Sequence, residues 1–215
     1  MKPIKLTLMA VMTLLSFQSG FSQTIVGTAH DFKAATWNPG GQVCIVCHTP
    51  HNAKVITDAP LWNRQLSAQT SYVLYTSATS STFNATTTQP DGNSKLCLGC
   101  HDGTIALEHF GTVTTGGTNF VTGTKVIGGG SPASISDDHP ISFVYDGALV
   151  TADGGLWPTT TLSGIGSGTI ASTMLFAGKM QCASCHDVHN GAGFTAGLLV
   201  KTNAQSALCL TCHKK

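Results

Sequence analysis

Charged side chains are scarce in this chain: Asp, Glu, Lys and Arg together make 10% of its 215 residues. Arg64 is the only arginine. With no basic patch to neutralise phosphates, nucleic acid is not expected as a partner. Long apolar runs are missing beyond the N-terminal segment, so no transmembrane segment is expected once that segment is removed. Long amphipathic periods are missing too, and Gly, Ser and Thr are abundant in their place. A chain so poor in helix formers struggles to offset its conformational entropy through an ordinary core. Something else has to organise it.

What is present at the N-terminus is Lys2 and Lys5, then an apolar run from Leu6 to Phe17, then small residues at Gly20 and Ser22. That pattern predicts a secretory signal peptide over 1–22, because the run is shorter than the roughly 20 residues a membrane span needs. The expected product is exported, to the extracellular space or the cell surface, with the periplasm second. Removing Lys2 and Lys5 leaves nine basic residues against ten acidic ones, a formal charge of −1.

All eight cysteines fall into four Cys-x-x-Cys-His runs: Cys44 to His48, Cys97 to His101, Cys182 to His186 and Cys209 to His213. In an exported protein, eight cysteines alone would suggest a disulfide framework. Disulfides do not require a histidine after each pair. With nine histidines in the chain, four such coincidences have odds on the order of one in several hundred thousand. Zinc is the better competitor, yet Cys and His held one residue apart suit tetrahedral closure poorly. The run is the attachment signature of a c-type haem, in which two thiols add to the haem vinyl groups and the adjacent imidazole sits at the iron. Four covalently attached haem c groups are therefore expected, on Cys44, Cys47, Cys97, Cys100, Cys182, Cys185, Cys209 and Cys212. They would bring eight propionates and make the loaded protein acidic.

His48, His101, His186 and His213 supply one axial ligand each, and five histidines remain. A weak internal repeat sorts them. Each half offers a lone histidine (His30 or His139), then Cys-x-x-Cys-His-x-x-His-Asn carrying His51 or His189, then Ser-x-Leu-Cys-Leu-x-Cys-His. The halves span about 23–110 and 130–215, joined by a Gly/Thr-rich connection. His109 has no counterpart and is read as a surface or propionate-bonding side chain. His30, His51, His139 and His189 are then the second ligands of four closed, low-spin irons. His51 and His189 lie three residues past an attached histidine, on the same side of that haem, so each must serve a neighbouring iron. Methionine is the other common sixth ligand and raises the potential. After signal removal only Met174 and Met180 remain, which is too few for four irons. Packing is their expected role.

Coarse structure follows from punctuation. Asn38-Pro-Gly-Gly41 and Gln89-Pro-Asp-Gly-Asn93 predict turns leading into motifs. Ala59 to Asn63 predicts a packed loop with a short helix beyond it. Residues 77–89 read as loop or edge strand, 111–136 as short strands and turns, and 146–174 as glycine-rich loop. The expected fold is a haem-organised, mostly irregular coil with short helices and a few short strands.

These motifs resemble the multihaem cytochromes with doubled CXXCH motifs, and within them the tetrahaem nanowire cytochromes. The likeness runs through His30-Asp31, Asn38 to Asn52, Ala59 to Asn63, Pro90 to Gly103, Asp138 to Ile141 and Cys182 to Asn190. It implies a multihaem cytochrome c architecture and long-range electron transfer rather than catalysis. It further implies a filament in which one histidine, His30 or His139 by position, ligates a haem of the neighbouring subunit. Redox partner proteins or extracellular electron acceptors would complete the circuit. Two alternatives remain: a multihaem reductase of small nitrogen compounds, which needs an open iron, and a periplasmic electron-donor subunit of a larger reductase.

Overall fold

The computed structural model describes residues 25–56, 59–131, 133–190, 192–194 and 197–214. The expected signal peptide lies outside the described residues. Regular structure is sparse, as the composition implies. The longest element is helix α1, Gly92–His101, of ten residues. Helices α2, Gly147–Asp153, and α3, Ile170–Thr173, are shorter. Strands β1 (Val73–Leu74) and β2 (Ser134–Ile135) pair in parallel, Val73 opposite Ser134. Strands β3 (Phe143–Val144), β4 (Leu175–Phe176) and β5 (Lys179–Met180) form an antiparallel sheet in the order β3-β5-β4.

Helix α1 extends what the sequence shows only as a turn. After the Pro90-Asp-Gly break, Asn93-Ser-Lys-Leu-Cys-Leu contains neither Gly nor Pro, and the helix runs on through the whole second motif. The stretch read as glycine-rich loop holds two helices. Asp146 caps α2 by accepting from the Leu149 amide at 2.9 Å, and Gly154 ends it in the left-handed conformation at φ 68°. Thr169 and Ser172 close a reciprocal capping box on α3. The helix expected after Asn63 is absent. That segment is extended instead, with Trp62 bridging to His48 and Lys54 and Arg64 bridging to Phe110.

An ordinary hydrophobic core exists after all, in the C-terminal half. Phe143, Tyr145, Leu149, Leu156, Ile170, Met174, Met180, Leu208 and Cys212 pack as one buried cluster. Its members come singly from elements spread over 143–212, so no periodic run announces them. The two halves interlock through the β1–β2 pair and through α1, which packs on the turn Cys182–Ser184. Residues 111–120, in the Gly/Thr-rich connection, are exposed throughout.

Candidate haem sites

Each Cys-x-x-Cys-His run is wound as a single helical turn. In the first motif the amides of Cys47 and His48 both return to the Cys44 carbonyl, at 3.1 and 2.8 Å. The third closes on Cys182 at 3.2 and 3.1 Å and the fourth on Cys209 at 3.2 and 3.0 Å. The second is the last turn of α1. Helical winding puts residues three and four apart on one side. Both thiols and the imidazole therefore leave the backbone together, as attachment of one planar group by two bonds and a ligand requires. None of the eight cysteines is in a disulfide.

The imidazoles are held by their other nitrogen. Nδ1 meets a backbone carbonyl in His48 (Pro60, 2.8 Å), His101 (Lys125, 2.8 Å) and His186 (Gly197, 2.6 Å). His139 Nδ1 meets the Pro140 carbonyl at 2.9 Å. A proton on Nδ1 leaves Nε2 with its lone pair bare, which is the ligand tautomer. His109 is arranged the opposite way: its Nε2 is bonded to the Gly116 carbonyl at 2.7 Å, and its Nδ1 is buried without a partner.

Six of the eight expected ligands stand in close pairs. His30 and His101 have ring centres 6.0 Å apart at an interplanar angle of 60°. His48 and His189 stand 6.3 Å apart at 19°, and His139 and His213 6.4 Å apart at 78°. An imidazole–metal bond of about 2 Å on each side, plus the offset of each ring centre from its nitrogen, spans about 6 Å. The gaps fit one metal ion apiece. No such pairing within the described residues includes His51 or His186, and both are exposed. Among the described residues no three His, Cys, Asp or Glu side chains converge on one point. Two side chains suffice for an iron that brings four ring nitrogens with it, whereas a structural zinc needs four.

Burial holds the His30 imidazole neutral, pushing its pKa down to about 4, with His101, His186 and Arg64 adding to the effect. Neutral imidazole is the form that binds metal. Met174 and Met180 are 1% and 5% exposed and packed in the core.

The motifs meet in sequence order. The Cys47 thiol is pushed up to about 11, chiefly by burial and against the pull of Arg64, with Cys100 of the second motif contributing. Cys97 lies against Cys182 of the third motif, and each thiol shifts the other. Cys185 is raised to about 11 by burial and then by Cys209 of the fourth. These values belong to free thiols; a thioether sulfur does not titrate. The second and third motifs are further locked by a buried polar seam. Ser94, fully buried, donates to Gln181 Oε1 and accepts from the Cys182 amide at 2.9 Å. Gln181 Nε2 donates to Asp91 Oδ1 at 2.7 Å, and Lys179 pairs with the same carboxylate. Sequence reading missed this seam, because Gln181 is separated from Asp91 by 90 residues.

Compared with known families, residues 175–215 match the doubled CXXCH motif, over the third and fourth motifs. No curated protein matches the chain. CXXCH motifs attach haem c covalently, and the doubled motif supports a multihaem c-type cytochrome working in electron transfer.

Proposed function

We propose that the chain is a tetrahaem c-type cytochrome that conducts electrons outside the cell as a filament, resembling the nanowire cytochrome OmcE. The observation that carries this reading is the set of three histidine pairs at 6.0 to 6.4 Å, each containing one motif histidine. The first iron falls to His48 and His189, the second to His101 and His30, the fourth to His213 and His139. Bound haem would supply one-electron chemistry; the chain supplies attachment, axial imidazoles and spacing. The order of motif contacts supports a single string of four.

Among the described residues, no close ring pairing gives His186 a second histidine or draws in His51. Both are exposed. In the filament, His51 of one copy completes the iron at His186 of the next. The interchain role then falls to this pair rather than to His30 or His139, which lie close to partners within the chain. Exported to the cell surface, as its first residues lead us to expect, the chain would take an extracellular electron acceptor or a redox protein as partner.

Electron microscopy and visible spectra of wild type and His51→Ala test this. Wild type should form filaments of low-spin haems. The variant should give discrete particles with one haem that binds carbon monoxide when reduced. Filaments of His51→Ala with an unchanged spectrum overturn the interchain scheme. The same unpaired His186 favours a second reading, a reductase of small nitrogen compounds with one open iron. Assembled wild-type protein that binds carbon monoxide at one haem would favour it.

A further inference from the structure

Arg64 is the only arginine of the chain and is 3% exposed. Its two terminal nitrogens are fixed by consecutive carbonyls, Nη1 by Leu107 at 3.0 Å and Nη2 by Ala106 at 3.2 Å. Its Nε is buried and has no partner. No described carboxylate pairs with it. A buried cation held only by neutral carbonyls is costly, and one left with an orphaned N–H is costlier still. Such a group implies an anion that the described residues do not provide.

Its position says which anion. Its chain neighbours place it between the first and second motifs: the Asn63 amide bonds the Cys47 carbonyl at 2.9 Å, and the Gln65 carbonyl would lie 2.9 Å from a Cβ at Gly99. Two residues earlier on the same extended segment, and hence on the same side of it, the Trp62 Nε1 is a second buried donor without a partner. The Trp62 ring meets His48 edge-on at 6.1 Å, which puts this donor beside the first motif as well.

We propose that Arg64 is a carboxylate-binding site at the junction of the first two motifs, and that its ligand is a haem propionate. This rests on the haem-bearing reading above. The Nε edge, held rigid through Nη1 and Nη2, donates to the propionate, and Trp62 Nε1 adds a second N–H on the same side. The fixed positive charge also disfavours the oxidised iron nearby, so the haem or haems at this junction become the most easily reduced of the string.

The test uses haem-loaded wild type, Arg64→Gln and Arg64→Lys, with haem count, potentiometric titration and resonance Raman on each. Arg64→Gln should keep the haem count, move one or two couples to more negative potential and leave the others in place. Arg64→Lys, which retains charge but loses the planar donor edge, should displace the propionate bending band with a smaller shift in potential. Wild type in heavy water should show that band move, since the carboxylate accepts from exchangeable N–H groups; this needs no variant to fold. Couples unchanged in Arg64→Gln with the haems retained, a band unchanged in Arg64→Lys, or a band indifferent to heavy water overturns the proposal. A wild type without haem would instead overturn the reading on which it rests.

Discussion

Replacing Ser94 by alanine removes one hydroxyl from the seam between the second and third motifs. Ser94 is fully buried, so water cannot replace it. Gln181 Oε1 keeps a second donor, Ser142 Oγ at 3.2 Å, but the Cys182 amide loses its acceptor. Stranding one buried N–H costs about 2 kcal/mol. For a chain of this size that lowers the melting temperature by roughly 4–8 °C. Ser206 is the control, because it stands three residues before its motif just as Ser94 does, in the same Ser-x-Leu-Cys pattern. It is exposed and sits in a kinked turn at φ 63°. Ser206→Ala should change stability by no more than about 0.5 kcal/mol. The assay is guanidinium unfolding of both variants followed by circular dichroism and the haem band together. Equal midpoints for Ser94→Ala and Ser206→Ala would refute the seam as a source of stability.

Other perturbations probe other parts of the molecule. A side chain at Gly99 would put its Cβ 2.9 Å from the Gln65 carbonyl, so Gly99→Ala should cost roughly 1–3 kcal/mol in denaturant unfolding. Met174→Ala should lose about 2–5 kcal/mol while the visible spectrum stays the same, since the thioether packs in the core. Burial pushes the Asp91 carboxyl up, but hydrogen bonds from Lys179 and Gln181 outweigh it and hold the pKa below its usual value. Its contribution is therefore present above the ordinary carboxylate range and is lost as pH falls through the lowered value. Acid titration of stability should show wild type above Asp91→Asn at neutral pH, with the two converging at the acid end.

The attachment motif was legible because it is local: five consecutive residues carry both thiols and one imidazole. So was the irregular character of the fold, which follows from Gly, Ser and Thr content. Pairing of the distal histidines was not legible, because it is set by long-range contacts. His189 reaches the ring of His48 across 141 positions of the sequence (189 minus 48), and no local pattern encodes that. Helices α2 and α3 were missed for a different reason. Flanking glycines outweighed their caps, although Asp146 three residues before Leu149 and Thr169 three before Ser172 are start signals in plain view. The small C-terminal core escaped notice because its apolar residues arrive one at a time. The polar seam escaped because Ser94 and Gln181 are unremarkable until their burial is known.

The mass of the intact, exported chain is the most direct test of the central claim. Four covalent additions of one haem each, retained under denaturing conditions, are the expected result. Fewer than four would leave at least one Cys-x-x-Cys-His turn without its haem and contradict the tetrahaem assignment.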